Sequence, residues 1–239
     1  MVPSSPPPEP SPGSDATVAS DRAPDPLARI AALRRAYERA ALDETTVAAT
    51  WLDQLLTWFD EAVMSGGSPE PNAIQLATVD EAGYPSVRTV LAKGIDERGV
   101  RFFTNYESAK ARDLDARPRA ALVFVWLAHE RQVRLSGAVE RLPLEESAAY
   151  FATRPRGSQI GAWISPQSSV IPSREVLEQA RDAAEQRFAE GDVPLPPFWG
   201  GYLLRPVQVE FWQGRRDRLH DRLRFRLTEG DWVLERLAP

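Results

Sequence analysis

The chain has 239 residues, of which 43% are hydrophobic and 26% charged, and its formal net charge at pH 7 is -5. This composition is typical of a soluble globular protein, and no window approaches the ~20 apolar residues that cross a bilayer, which excludes fibrous and membrane proteins. The sequence has 0 cysteines and 2 histidines, which lie far apart. Disulfides, thiolate nucleophiles and Cys-ligated zinc are therefore excluded, and we expect no bound metal.

The first part of the chain contains two kinds of segment. Residues 1–26 are rich in proline and serine and contain no apolar run that could serve as a signal peptide, which predicts a disordered tail on a cytoplasmic protein. Residues 27–239 are predicted to form a single domain. It begins with an amphipathic helix from Leu27 to about Ala40, followed by a second helix from Thr46 to Met64.

Short strands dominate the rest of the sequence. Segments rich in Val, Leu and Phe alternate with turn signals such as DEAGYP and DERG, which indicates a mainly antiparallel sheet or barrel. The predicted strands are residues 73–80, 86–93, 100–105, 120–127, 131–142, 199–214, 218–227 and 231–237. Two helices interrupt them at residues 143–154 and 173–188, the second with Ser173 as its N-cap. The predicted fold class is mainly β with flanking helices.

The stretch EFWQGRRDRLHDRLRFRL, Glu210 to Leu227, contains six arginines and one of the two histidines. Alternation along a strand predicts a cationic face and an apolar face. The cationic face carries Arg218, His220, Arg222, Arg224 and Arg226, and the apolar face carries Leu219, Leu223, Phe225 and Leu227. Asp221 falls on the apolar side, where a buried carboxylate needs a partner.

Two interpretations of these cations remain open. Arg224 and Arg226 fit the solvated face of an edge strand, where arginine discourages strand addition. Arg218, His220 and Arg222 lie near Trp212 and the turn QGRRD, and loops often carry function. Because the chain is acidic and no basic stripe extends beyond this region, nucleic acid is a poor ligand. A small anion that bears a phosphate fits better.

Other segments carry groups suited to a phosphate. Tyr150 and Arg154 form an i,i+4 pair, with Ser158 shortly beyond the helix, and together they form a predicted clamp for one phosphate. Taken alone, the pair is better explained by a core tyrosine and a surface arginine.

Three more cations belong to two further segments. Arg88 and Lys93 lie in RTVLAK, and Lys110 stands at the start of a helix, whose free N–H groups favour anions. Solvation at the surface is the alternative for each. Strict alternation places Arg88 and Lys93 on opposite faces, so both reach one site only where the strand twists, bulges or ends near Lys93. GxGxxG and GxxxxGK[ST] motifs are absent from the sequence, and GSQIG is not a nucleophile elbow, which disfavours ATP chemistry and serine hydrolysis.

A series of motifs resembles one enzyme family. From about Leu33 to Pro239, the motifs RTVLAK, FFTN, SAKARDLD, ERQVRLSG, YFATRPRGSQIGAW, SPQSS, PLPPFWGGY, VEFWQGRRDRLHDR and ERLAP are similar, in order, to pyridoxamine 5'-phosphate oxidase, a flavin enzyme of vitamin B6 metabolism. The resemblance implies a split β-barrel homodimer with FMN at the subunit interface. It also implies oxidation of pyridoxamine or pyridoxine 5'-phosphate to pyridoxal 5'-phosphate by hydride transfer to the flavin, which O2 then reoxidises with release of H2O2.

Carried over residue by residue, the resemblance implies three sets of contacts. The FMN contacts are Arg88, Thr89, Val90, Leu91, Phe103, Thr104, Lys110, Gln132, Gln167, Ser168, Trp212 and Arg222. The contacts to the substrate phosphate are Lys93, Tyr150, Arg154 and Ser158. Arg218 and His220 flank the substrate ring as the catalytic pair, with Arg34, Arg35 and Tyr37 closing over it.

One departure from the family's pattern bears on the cofactor. This chain has Ser108-Ala109-Lys110 where the family usually has Ser-Arg-Lys, so one cation near the flavin phosphate is missing unless Arg112 or another group substitutes. Two other functions stay open. One is a related flavin oxidase that acts on another ring, such as a phenazine-pathway type, and the other is a non-catalytic module that binds flavin or pyridoxal phosphate.

Overall fold

The structure is a computed structural model that describes residues 36–239. The predicted tail, most of the predicted first helix, and Arg34 and Arg35 lie outside the described residues. The described end of that predicted helix, residues 36–40, is not helical, so the prediction is wrong there.

Five α-helices and nine strands make up the described part of the chain. The helices are α1 (Trp51–Met64), α2 (Ala109–Ala116), α3 (Leu144–Ala152), α4 (Arg156–Ile164) and α5 (Glu175–Arg187). The strands are β1 (Ala73–Val79), β2 (Pro85–Leu91), β3 (Gly94–Asp96), β4 (Gly99–Asn105), β5 (Arg119–Trp126), β6 (Arg131–Arg141), β7 (Trp199–Gln213), β8 (Asp221–Thr228) and β9 (Asp231–Arg236). No helix within residues 36–239 is long and apolar enough to span a bilayer.

The nine strands form one antiparallel sheet that curls into a half-barrel. Its order is β2-β1-β5-β6-β7-β4-β3, and β8 and β9 continue from β7. Strand β7 spans 15 residues and pairs with β4 through its first half and with β8 through its second half, while β6 pairs along its other edge. The mainly β prediction is confirmed.

Helix α1 covers the main core. Trp51, Leu55 and Trp58 are buried against the sheet, where Trp58 meets Phe211 edge-on with ring centroids 5.3 Å apart. This helix begins at Trp51 rather than at the predicted Thr46. The reason is that the Asp43 carboxylate accepts the N–H of Thr45 at 2.8 Å and holds the preceding residues in a turn, while Thr50 caps the helix.

A second, smaller core joins α3, α4 and α5 to the start of β7. It contains Phe151, Ile160, Phe188 and Trp199. Helix α4 and strand β3 were missing from the sequence prediction. Ser173 is not the cap of α5, because the helix begins at Glu175 with Arg174 in the N-cap position.

The cationic stretch differs from its prediction. Strand β8 begins at Asp221 rather than at Arg218, because residues 216–218 form a 3-10 turn with left-handed backbone at Asp217 and Arg218. Leu219 is therefore 69% exposed instead of buried in the core. Since β9 pairs with β8, the predicted edge strand is also wrong.

The arginines of β8 pair with carboxylates on neighbouring strands. Arg224 and Arg226 both pair with Glu235 of β9, at 2.6 and 2.5 Å. The predicted partner for Asp221 exists, since its carboxylate accepts the N–H of Leu42 at 3.1 Å and pairs with Arg236 at 3.0 Å.

Replacing Gly137 with alanine should destabilise the fold by at least about 2 kcal/mol, because strands β6 and β7 approach too closely there for a side chain. An added Cβ would lie 1.8 Å from the carbonyl oxygen of Arg205, at a register shift between the strands. The free energy of unfolding in urea measures the effect. Gly157→Ala in α4 is the control, since no atom of the described residues lies within 4 Å of its Cβ position. Equal stability of the two variants would contradict this packing.

Candidate active site

A cleft of about 480 Å³ opens between the edge of the sheet and the α3–α4 pair. It is lined by Arg88, Thr89, Val90, Leu91, Lys93, Phe103, Thr104, Asn105, Lys110, Tyr150, Arg154, Ser158, Gly161, Ala162, Ser165, Gln167 and Trp199. The lining includes four cationic side chains, and none of its residues is acidic. Its charge therefore favours an anion.

Strand β2 ends at Leu91, two residues before Lys93. Because the regular alternation stops there, Arg88 and Lys93 both line the cleft despite their odd spacing. The sequence allowed the two cations to share a site if the strand twists, bulges or ends near Lys93, and the structure shows that it ends there.

Lys110 is a buried cation that has no charged hydrogen-bond partner among residues 36–239. Its Nζ donates to Gln167 Oε1 at 2.8 Å, to Thr104 Oγ1 at 3.2 Å and to Ser108 Oγ at 3.3 Å, and the residue is 9% exposed. Burial, followed by the positive charge of Arg88, lowers the pKa of this ammonium to about 8. An ammonium held in this way is suited to an anion that enters the cleft.

Arg88 is fixed from behind by strand β1 and helix α2. Its Nη1 donates to Thr78 Oγ1 at 2.5 Å and to the carbonyl of Leu76 at 3.3 Å, and its Nη2 lies 3.5 Å from Asp113 Oδ2. Thr78 in turn donates to the same carboxylate at 2.6 Å. These contacts hold the guanidinium beside the cleft, where it can also interact with an anionic ligand.

Helix α3 and the turn after it present Tyr150 and Arg154 to the same cleft. The Tyr150 ring stacks on Phe103 with centroids 4.0 Å apart, and Arg154 Cζ lies 4.6 Å from the centre of the Trp199 ring. Arg154 Nη1 is buried and has no hydrogen-bond partner among residues 36–239. Burial lowers the pKa of this guanidinium and raises the pKa of the Tyr150 phenol.

The position of α3 is set one turn before Tyr150. Glu146 pairs with Arg98 at 3.2 Å and with Arg101 at 3.4 Å, and both arginines also pair with Asp96 in the β3–β4 hairpin. This network ties the helix to the sheet, so the Tyr150–Arg154 pair is held at a fixed height above the cleft.

A second group of predicted residues lies outside this cleft. Gln132, Trp212 and Arg222 are direct cross-strand neighbours on β6, β7 and β8 and form a row across the sheet. Arg222 Nε donates to Glu210 Oε1 at 2.8 Å. Gln132 is exposed, as is Ser168, which follows Gln167 with left-handed backbone. None of these residues lines the cleft.

The aromatic end of this row meets the N-terminal segment and the loop before β8. The ring centroids of Trp212 and His220 are 4.5 Å apart, and Tyr37 contacts both rings edge-on at 5.8 Å. Arg218 is exposed and has no ion-pair partner within the described part of the chain. Tyr37, His220 and Arg218 thus lie together, apart from the cleft residues of the same protomer.

Two features of the cleft were not anticipated. Trp199 forms one wall of the cleft. The WGG sequence could have indicated this wall, because the two glycines mark a place where other side chains approach the backbone closely. An added Cβ at Gly200 would strike Tyr106, and one at Gly201 would strike Phe103. Arg112, considered as a substitute cation, is exposed and donates to the carbonyl of Glu107 outside the cleft. It does not line the cleft.

The comparisons with known proteins agree on one family. The family profile described as pyridoxamine 5'-phosphate oxidase matches residues 61–188, and the profile of the pyridoxine 5'-phosphate oxidase C-terminal dimerisation region matches residues 199–239. The chain is 55% identical to the pyridoxine/pyridoxamine 5'-phosphate oxidase of Saccharopolyspora erythraea, over 90% of this chain and 97% of that protein. It is 56% identical to the protein of the same name from Cupriavidus necator, over 89% of this chain and 100% of the relative.

Solved structures show the same fold. The crystal structure of PhzG from Burkholderia lata, in complex with tetrahydrophenazine-1-carboxylic acid, superposes with a TM-score of 0.78 at 29% identity, over 83% of this chain and 98% of that one. A pyridoxamine 5'-phosphate oxidase-related, FMN-binding protein from Nostoc punctiforme superposes with a TM-score of 0.65 at 20% identity, over 80% and 99% of the two chains. The split-barrel prediction is confirmed by these neighbours.

Proposed function

The chain belongs to the pyridoxamine 5'-phosphate oxidase family and is an oxidoreductase, and on that premise we propose that it oxidises pyridoxamine 5'-phosphate and pyridoxine 5'-phosphate to pyridoxal 5'-phosphate with FMN as its cofactor. The observation that carries this proposal is the acid-free cleft, in which buried Lys110 has only uncharged hydrogen-bond partners. Such a lysine suits the phosphate of a cofactor.

The cleft residues divide into a cofactor end and a substrate end. Lys110 and Arg88 bind the FMN phosphate, with Thr104 and Gln167 beside them. Lys93, Tyr150, Arg154 and Ser158 bind the phosphate of the substrate. In the first group, Arg88, Lys110 and Thr104 lie on β2, α2 and β4, and Gln167 follows α4. In the second group, Tyr150 and Ser158 lie on α3 and α4, Arg154 lies between these helices, and Lys93 follows β2.

We propose that two subunits complete each site. Residues 199–239 match the family's dimerisation region, and the row of Gln132, Trp212 and Arg222 does not reach the cleft of its own protomer. In a homodimer with FMN at the interface, this row would contact the cofactor held by the partner subunit. Arg218 and His220 would then flank the substrate ring, with Tyr37 packed behind them.

Lys110 and Arg88 would hold FMN, which when bound would supply the acceptor for the hydride from the substrate's 4' carbon and would be reoxidised by O2 with release of H2O2. The residues of the chain position the reactants. The phosphate clamp fixes one end of the substrate and Arg218 and His220 fix its ring, which converts a bimolecular encounter into an oriented one. The amine substrate would yield an imine that water hydrolyses to the aldehyde and ammonia. The alcohol substrate would yield the aldehyde directly, with its hydroxyl proton lost to water.

The decisive experiment follows the visible absorbance of the flavin. The protein is loaded with FMN, titrated with pyridoxamine 5'-phosphate without oxygen, and then exposed to air. We expect bleaching followed by recovery of the yellow colour. A flavin that stays yellow with both phosphorylated substrates would refute oxidase activity and favour a module that only binds its ligands.

A second candidate function is oxidation of another ring, as the structural likeness to PhzG allows. The cation-lined clamp of Arg154, Tyr150 and Lys93 disfavours it, because a ring without a phosphate leaves these groups without a charged partner. Equal kcat/KM for phosphorylated and unphosphorylated rings would reverse this choice.

Replacing Arg218 with alanine should lower turnover by roughly tenfold and leave the FMN content unchanged, because the proposed role of this residue is in holding the substrate ring. Flavin absorbance per subunit and steady-state rates measure the two effects. Equal loss of FMN and of turnover would contradict the division of roles.

A further inference from the structure

The residues around His220 determine the tautomer and the protonation state of its imidazole. The ring lies between Trp212 and Tyr37, with centroid distances of 4.5 and 5.8 Å. Nδ1 lies 3.1 Å from the main-chain nitrogen of Arg215, which donates a hydrogen bond to it. The turn of residues 216–218 brings the two ends of this contact together.

A main-chain N–H can only donate, so Nδ1 must present its lone pair to Arg215. A neutral imidazole carries one proton, which is then on Nε2. Protonation of Nδ1 would set two N–H groups against each other and remove the hydrogen bond. The contact therefore selects one tautomer and opposes the imidazolium form.

Burial and the charge of Arg218 also oppose the imidazolium form. Burial first, and then the positive charge of Arg218, lower the pKa of His220, while Asp221 opposes them. The Asp221 carboxylate already accepts the N–H of Leu42 and pairs with Arg236. On the N-terminal segment, Glu38 pairs with Arg216 at 2.7 Å.

We propose that His220 acts as a neutral Nε2–H hydrogen-bond donor whose tautomer is set by the main chain of Arg215, and that it does not serve as the general base. The inference rests on the proposed function and specifies how the ring site recognises its substrate. A donor at this position needs a lone pair on the substrate, which a hydroxyl or a neutral amine offers and an ammonium does not.

The 15N spectrum of the imidazole nitrogens tests the tautomer directly. The FMN-loaded protein, labelled at histidine, contains two imidazoles, and His129→Gln identifies the signals of His220. At pH 7 we expect one unprotonated Nδ1 and one protonated Nε2. A proton on Nδ1, or protons on both nitrogens, would overturn the proposal.

Steady-state kinetics test the role in the reaction. Loss of one neutral hydrogen bond in His220→Phe should lower kcat/KM by about 3- to 10-fold, whereas loss of a general base would lower it by about 10²- to 10⁴-fold. His220→Gln, which keeps a donor, should recover part of this loss and retain the acidic limb of the pH profile. An acidic limb that disappears in this variant would assign the base to His220 and refute the proposal.

The two experiments distinguish failure of the proposed oxidase function from failure of the inference about His220. A protein that never bleaches its flavin would refute the proposed function, yet the nitrogen spectrum would still report the tautomer. A flavin that bleaches normally, together with an imidazolium spectrum, would refute the inference and leave the oxidase activity intact.

Discussion

Replacing Lys110 with methionine should weaken FMN binding by about 100-fold, because the variant keeps the length of the side chain and loses the charge that meets the phosphate. The wild-type ammonium is buried among Gln167, Thr104 and Ser108, which supply no negative charge. Its burial without a carboxylate partner is costly to the apoprotein and is offset when an anion binds. Fluorescence titration of apoprotein with FMN gives the dissociation constant.

Arg112→Met is the matched control for this prediction. Arg112 lies on the same helix, is exposed, and donates to the carbonyl of Glu107 outside the cleft. We expect its loss to change FMN affinity by less than about threefold, the scale of a surface charge. An equal loss in both variants would mean that Arg112 moves to replace the cation absent at Ala109.

The lowered pKa of Lys110 also predicts a pH dependence. Its folded pKa of about 8 lies below the ordinary value of 10.5, and a bound phosphate favours the charged form. FMN affinity should therefore fall as pH rises above about 8, by at most tenfold per pH unit, and Lys110→Met should lack this fall. Equal slopes for the two proteins between pH 7 and 9.5 would contradict the assignment.

The stability of the apoprotein should change in the opposite direction. Between about pH 8 and 10.5 the unfolded lysine holds a proton that the folded one has lost, so the contribution of Lys110 to the free energy of unfolding rises with pH. The difference between wild-type protein and Lys110→Met isolates this group, since the other titrating groups are common to both.

Local pattern predicted most of the sheet and marked Arg88, Lys93, Lys110, Tyr150, Arg154 and Ser158 as candidates. The family resemblance implied the other predicted cleft residues. Strands such as β1 and β5 alternate buried and half-buried residues regularly, which is the pattern that a sequence displays directly. Arg88 and Lys93 show the limit of this approach, because their meeting in one cleft depends on where β2 ends. Trp199 was missed because its role depends on a packing between α3, α4 and β7 that brings distant segments together.

The loop before β8 escaped prediction for a different reason. Asp217 and Arg218 adopt left-handed backbone although neither is glycine. The segment RRDRLH therefore contains no glycine that would distinguish it from the strand that follows. The turn is held by tertiary contacts, including the hydrogen bond from Arg215 to His220 and the pairing of Arg216 with Glu38. Local propensity carries no signal for such contacts.

Replacing Arg154 with methionine should raise KM for pyridoxamine 5'-phosphate by about 100-fold and change kcat much less. The guanidinium lies over Trp199, and its buried Nη1 has no hydrogen-bond partner among the described residues. A substrate phosphate would form a charge-assisted hydrogen bond with this group, and a substrate without a phosphate would not. Steady-state kinetics with phosphorylated and unphosphorylated pyridoxamine measure the effect. We expect the unphosphorylated substrate to lose less than about threefold.

Two further variants separate binding from structure. Arg154→Lys keeps the charge and loses the planar fork, so KM should rise by only about tenfold, and Arg181→Met, on the exposed face of α5, should leave KM unchanged. Because an unpartnered buried guanidinium costs the apoprotein free energy, Arg154→Met should keep or raise the melting temperature while substrate affinity falls. A lower melting temperature with KM unchanged would show instead that Arg154 serves packing, and the phosphate clamp would have to be assigned to other cations of the cleft.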